Sequence, residues 1–474
     1  MNFNELLDED YRYKWHVLQI LELKRESFLT VGSLMDIVGL SRYRTEKYLN
    51  EIVIDASVNH IDIEVNIEPD GEVQSKGLSN LVLKNIRLYY LENSVCYKIF
   101  KEIFFGTSNI DSLVDKVFIS RSKVYEKVKI INRMLTEANI KIKNNKLLGE
   151  ELYIRGIFLS LYMDFYSGIK LPFNSELKKE IGRVKHIFAV NEDISFTKTQ
   201  EFRFSIFVGI SIIRSGNSSR LKPVPVTIQE KDLNPYFSSL STKINTDIKK
   251  EIELILFFIE SEKIISVSKW NFTNTSISKD VDKVSDYFFK SLSKIIDLNQ
   301  IKNINKVRSE FNRINLKWFY FHFKDTTFIK DNKFGYLQEV YPEYDLFIRN
   351  FLSQDWIEQH FYSEEEKIKI YYDYLFLLTL FIPIEMMEKK IYICIDFSHG
   401  EIYNQFIQNS IRSFRDLNVI FERKLTSNTD IYISDFIMGQ LNCIQIIWKN
   451  PPGPNEWKEF GNQIVCLKKG SHSE

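Results

Sequence analysis

Seven residues between 121 and 133 have the types and spacing for anion chemistry. Arg121, Ser122, Lys123, Tyr125, Lys127, Lys129 and Arg133 stand against a single carboxylate, Glu126. Guanidinium and ammonium groups hold phosphate oxygens, and small hydroxyls hydrogen-bond to phosphates or base edges. To work together these residues must share a face. Val124, Val128, Ile131 and Leu135 recur at i, i+4, i+7 and i+11, which makes one apolar stripe of a helix. At about 100° per residue, Ser122, Tyr125, Glu126, Lys129 and Arg133 then point the other way, flanked by Lys123 and Lys127. A helix with an apolar keel and a basic, hydroxyl-bearing outer face suits a major groove.

The segment that positions this helix is SLVDKVFISRSK, residues 112–123. Leu113, Val114 and Val117 form the apolar face of a short helix, Phe118-Ile119 the turn, and Ser120 the N-cap of a helix running to about Ala138. Residues 33–44 read SLMDIVGLSRYR, with Ser, Leu, Asp, Val, Ser and Arg in step. The core positions continue to match, Thr45 with Val124, Leu49 with Val128 and Ile52 with Ile131. In this first copy Tyr43, Lys47 and Asn50 face outward, with Arg42 and Arg44 beside them. One such pattern is imitated by any two short packed helices. An in-register repeat duplicates the turn and the basic surface together, which favours reading of duplex DNA over plain helical core.

The whole chain carries no basic excess: 63 Lys and Arg balance 63 Asp and Glu over 474 residues. The charge is segregated instead, with nine Lys and Arg against two Glu between Lys116 and Lys146. Few glycines (17) and many aromatics (14%) favour helices over a turn-rich β protein. Four cysteines, Cys96, Cys394, Cys443 and Cys466, lack metal-ligand spacing and read as reduced thiols. The acidic N-terminus, MNFNELLDEDYRYK, is no signal peptide. The longest apolar run, Tyr374 to Ile384, falls far short of the roughly 20 residues of a membrane span. A soluble cytoplasmic protein without membrane contact, cofactor or metal site is expected. No Ser-His-Asp set, metal cluster or Gly-rich nucleotide loop points to an enzyme.

Along the chain, residues 11–27 predict a first helix ahead of the first copy. IDIEVNIEPDGEVQSKG alternates around Pro69-Asp70-Gly71, a hairpin in the place of a wing. Residues 81–105 predict one long aromatic-rich helix leading into the second copy. IKIKNNKLLGEELYI repeats the strand–turn–strand look around Asn144-Asn145, with Lys141, Lys143 and Lys146 on that wing. From about 165 to 388 the chain reads as helices, including 247–260 and 364–381, with polar breaks at 215–219, 222–225 and 324–333. Beyond Lys389, IYICID, NVIFER, DIYISD, CIQIIW and IVCLKK are strand-like around a helix over 401–417, which implies a small α/β domain with a partly parallel sheet.

The expected fold class is therefore multidomain and mainly α. It comprises winged helix-turn-helix domains at 1–78 and 79–163, helical bundles at 164–280 and 281–388, and an α/β domain at 389–474. This succession, with the SLxDxVx[LI]SRx[KR] repeat, resembles the Mga family of Gram-positive transcriptional regulators, which includes the anthrax toxin activator. The resemblance implies DNA-binding activators of virulence or carbohydrate-metabolism genes that act as homodimers on double-stranded promoter DNA. It implies that the bundles are similar to phosphotransferase-system regulation domains, in which phosphoryl-donor proteins of the sugar phosphotransferase system modify histidines. It also implies that the last domain is similar to a sugar-phosphotransferase IIB component.

Of seven histidines, His322 in WFYFHFK and His186 in GRVKHIF are the phosphorylation candidates. The helix EFRFSIFVGISIIR, matched to the helix of His322, has none. A working IIB needs a nucleophilic Cys just after its first strand. Here Asp396-Phe397-Ser398-His399-Gly400 occupies that place and Cys394 comes two residues too early, so no transferase activity is expected. An RNA-binding antiterminator with the same bundles is the alternative, disfavoured because two winged units replace its small β-strand module. A phosphotransferase enzyme and a plain scaffold rank lower still.

Overall fold

Caps written into the sequence set where the N-terminal helices begin. The computed structural model describes residues 2–24, 27–107, 109–240, 248–264, 271–272, 276–321, 334–359, 364–414, 417–449 and 451–470. Helices α1 (Glu9–Leu23), α2 (Val31–Val38) and α3 (Arg42–Val58) come first. Thr30 and Ser33 make a reciprocal capping box at the start of α2, Gly39 closes it at φ 72°, and Ser41 caps α3. Leu34, Leu49 and Ile52 are buried with Val17, Leu18 and Leu21. Strands β1 (Glu64–Ile67) and β2 (Val73–Lys76) pair antiparallel across the Pro69-Asp70-Gly71 turn. The hairpin is tied back to the segment before α2, through Val31 N–H to Gly71 O and Val73 N–H to Leu29 O, at 2.9 and 2.8 Å.

The second copy has the same plan. The long helix expected over 81–105 is broken into α4 (Asn80–Asn93) and α5 (Val95–Phe104). The break has a long-range cause: Ser94 is extended there, and its hydroxyl donates to Leu6 O at 2.6 Å. Helices α6 (Ile110–Val117) and α7 (Arg121–Leu135) follow, capped by Asn109 and Ser120. Phe118 holds the turn between them at φ 57°, where the first copy has Gly39. Strands β3 (Lys141–Lys143) and β4 (Lys146–Leu148) pair across Asn144 and Asn145, both left-handed, the signature of a two-residue hairpin turn.

Helices α8 (Glu151–Tyr166), α9 (Ser175–Asn191) and α10 (Lys198–Arg214) pack next. The break expected at 215–219 is a 3-10 stretch, and β5 (Val226–Thr227), α11 (Glu230–Leu240), α12 (Ile248–Ser261) and β6 (Asn271–Phe272) complete this region. Its centre holds both a stacked ring pair, Phe207 on Phe258 with centroids 3.8 Å apart, and buried charge. Arg155 forks onto both oxygens of Glu251 at 2.7 Å, while Arg214 reaches Glu151 at 2.6 Å. Residues 1–275 with 317–327 form one compact unit.

The second unit, residues 276–316 with 328–474, contains α13 (Ser276–Leu292) and most of α14 (Ile304–Phe321). Then come α15 (Phe334–Val340), α16 (Pro342–Leu352), α17 (Asp355–Glu358), α18 (Glu364–Phe381) and α19 (Ile384–Met387). Its sheet is built from β7 (Ile391–Ile395), β8 (Val419–Glu422), β9 (Ile431–Ser434) and β10 (Ile444–Ile447), with α20 (Glu401–Arg412) and the terminal α21 (Pro454–Gly470). The strand order is β10-β9-β7-β8 and every pairing is parallel, so the partly parallel sheet of the sequence reading is corrected to a wholly parallel one. IVCLKK is no strand; it lies in α21. Trp457, Phe460, Ile464 and Leu467 fall on one helical face there and pack against the sheet core, so the period of 3.6 wins over a short apolar run. No described helix is long and apolar enough to cross a membrane.

Candidate nucleic-acid interface

Helix α7 is keyed into the fold by Val124, Ile131, Met134 and Leu135, each 4% exposed or less, with Val128 half-buried. The face opposite that keel carries Ser122, Tyr125, Glu126, Lys129 and Arg133, all exposed, with Arg121 and Lys123 exposed at its N-terminal end. Asn132, which the sequence reading passed over, fixes the wing to this helix. It donates to Ile142 O at 3.1 Å and accepts from Ile142 N–H at 2.6 Å. A polar amide at the edge of an apolar stripe was the available signal. Ile142 and Leu147 are buried, leaving Lys141, Lys143 and Lys146 outward on β3 and β4.

The cations of α7 are held lightly. Arg121 pairs with Asp111, Lys123 with Glu126 at 3.0 Å and Arg133 with Glu5 at 3.2 Å, all largely in solvent. Exposed pairs of this kind contribute about 0–1 kcal/mol, so a phosphate oxygen displaces the carboxylate at little cost. Lys129 and the three wing lysines have no ion pair among the described residues. Lys127 departs from expectation. Its side chain is only 12% exposed and its ammonium lies 2.8 Å from Asp8, so it braces α7 against the N-terminal segment.

In the first copy Tyr43 is 77% exposed on α3, and Asn50 and Lys47 are exposed beside it. Arg42 pairs with Glu46 at 2.8 Å and Lys47 with Glu51 at 3.6 Å. Arg44 turns toward α1: it donates to the Tyr48 hydroxyl at 2.8 Å, and that hydroxyl donates to Asp10 at 2.6 Å. Burial is the main cause of the raised Tyr48 pKa, with the hydrogen bond to Asp10 adding to it.

The candidate phosphoacceptors lie elsewhere. His186 is exposed on α9, and His322 falls outside the described residues. At the end of β7, Cys394 is buried within the strand, and burial pushes its thiol up to about 11. Asp396 bonds the Tyr432 hydroxyl at 3.2 Å, and Asp435 accepts from the Ser398 N–H at 2.8 Å. Two carboxylates thus stand where a phosphoryl group would need donors. No curated protein matches the chain by sequence. The family model described as the Mga helix-turn-helix domain matches residues 79–162, from the cap of α4 into α8, so the segment built around α7 is similar to that domain.

Proposed function

We propose that this protein is a transcriptional regulator that binds duplex promoter DNA with α7 in the major groove and the β3–β4 wing along the adjacent backbone. The observation that carries the reading is the outer face of α7, where exposed Arg121, Ser122, Lys123, Tyr125, Lys129 and Arg133 sit on a buried apolar keel. Cations supply phosphate affinity, and Ser122 and Tyr125 are the base-edge contacts. On α3, Arg42, Tyr43, Arg44, Lys47 and Asn50 form a second candidate surface, and Lys127 acts by positioning.

The finer reading rests on the family resemblance. The chain is an activator that works as a homodimer in the cytoplasm. Residues 164–280 and 281–388 act as phosphotransferase regulation bundles, and 389–474 as an IIB-like end without transferase activity. His186 and His322 are the sites at which phosphoryl donors would act.

The test is titration of a labelled promoter duplex with the full chain across a salt series, with the matching RNA as competitor. Affinity should fall steeply with salt, and RNA should compete poorly. The pair Arg121→Ala and Lys129→Ala should weaken binding to every duplex, about tenfold or more at ~100 mM salt. Unchanged affinity would remove α7 from the interface, and a preference for RNA would turn the reading toward an antiterminator.

A further inference from the structure

The two helix-turn-helix copies share a plan but not a charge. Residues 1–78 hold fifteen Asp and Glu against eight Lys and Arg, whereas residues 79–162 hold eight against fourteen. The contrast is sharpest on the elements that would meet a duplex. Helix α7 carries five cations and one carboxylate; α3 carries three of each. The β3–β4 wing presents Lys141, Lys143 and Lys146 with no acid, while the β1–β2 wing presents Glu64, Glu68, Asp70 and Glu72 against Lys76 alone.

The second copy also keeps cations with no ion pair among the described residues, Lys129 and the three wing lysines. Each cation of α3 already has a carboxylate, on α3 itself or on α1. Lys14, 7% exposed, is spent on Asp55 at 2.6 Å and Glu51 at 3.2 Å. Nor is the first copy free to swing away. Asp8, at the start of α1, holds Lys127 of α7 and the Val95 N–H of α5, both at 2.8 Å, and Ser94 holds Leu6 O at 2.6 Å. Both copies thus belong to one compact unit, so charge on the first bears on any duplex held by the second, most strongly at low salt.

We infer that the two copies divide the work on DNA. The second supplies phosphate attraction, and the acidic wing of the first, through Glu64, Glu68 and Glu72, repels phosphate and holds down binding to duplexes of the wrong sequence. Discrimination gains from such a repulsive element, because non-specific affinity is almost wholly electrostatic, whereas base contacts made by Tyr43 and Asn50 are not. This inference rests on the DNA-binding reading above.

The test compares the full chain with Glu64→Gln/Glu68→Gln/Glu72→Gln, which leaves Asp70 to accept from the Glu72 N–H in the turn. A control, Asp280→Asn/Asp282→Asn/Asp286→Asn on α13, changes the net charge equally. Binding is read by anisotropy on a promoter duplex and on an unrelated duplex. The wing variant should bind the unrelated duplex about tenfold more tightly at ~50 mM salt, with a steeper salt slope and poorer discrimination. The control should shift neither. Unchanged or weaker binding by a wing variant of native circular dichroism overturns the inference, as does an equal gain in the control. If the unmodified chain binds no duplex, the DNA reading falls with it. If the chain binds and Arg121→Ala/Lys129→Ala weakens it while the wing variant does nothing, only the inference falls.

Discussion

Asp8 and Lys127 lie 119 residues apart in the chain and 2.8 Å apart in the structure. Asp8 stands at the N-cap position of α1 without bonding that helix's own amides. One carboxylate oxygen receives the Lys127 ammonium and the other the Val95 N–H. A single side chain thus joins the first helix of one copy to α7 of the other and to the start of α5.

Removing that carboxylate leaves a lysine only 12% exposed without its partner. Asp8→Ala should lower stability by about 1–3 kcal/mol, read as an earlier urea midpoint. Lys127→Met should cost less than Asp8→Ala and leave the salt slope of DNA binding unchanged. A slope reduced by about one unit would instead mark Lys127 as a phosphate contact.

The two turns carry different residues at their left-handed position, Gly39 and Phe118. Phe118 holds a left-handed backbone at φ 57° while 91% exposed, and gains little burial in return. Phe118→Gly should raise stability by about 1 kcal/mol, and Gly39→Ala should lower it by a similar amount, because a Cβ is disfavoured at φ 72° even where it meets no neighbour. Thermal unfolding of both variants checks the pair. Equal shifts of the same sign would contradict the argument.

Arg155 is 1% exposed and bridges Glu151 and Glu251, with Arg214 closing the set on Glu151. Removing one member strands a buried charge, so Glu251→Ala should destabilise by about 3–5 kcal/mol. Replacing Arg155 by Met together with Glu251 by Leu should recover a large part of that loss. Denaturant midpoints of the single and double variants decide it.

Glu388 gives the second unit a pH dependence of known sign. Burial raises its carboxyl from an ordinary 4.5 to about 7, against the pull of Lys468 at 4.0 Å. Between those values the folded state holds a proton that the unfolded chain has lost. The stability this group contributes is full below about 4.5, declines as pH rises, and is gone above about 7. Glu388→Gln should flatten that decline in denaturant midpoints measured at pH 5.5, 6.5 and 8. Parallel curves for the two proteins would refute it.

Much of the candidate interface was legible because it depends on neighbours in sequence. The Ser41 and Ser120 caps, the Asn144-Asn145 and Pro69-Asp70-Gly71 turns, and the stripe of Val124, Val128, Ile131 and Leu135 follow from hydrogen bonds and periodicities spanning a few residues. These local rules are enough to set Tyr125, Lys129 and Arg133 on the outer face of α7.

Partner choice across the fold was not legible. Lys127 reads as one more basic flank until Asp8 draws it inward. Residues 81–105 read as one helix until the Ser94 hydroxyl finds Leu6 O. IVCLKK reads as a strand until Trp457 and Phe460, two turns and one turn earlier, extend its apolar face over the sheet core. By itself the sequence determined the helices, their caps and which face of α7 is basic, since propensity and period act within one element. Only the tertiary structure decided which charges are spent inside the fold and which remain for a ligand, because burial and ion pairing depend on residues more than a hundred positions away.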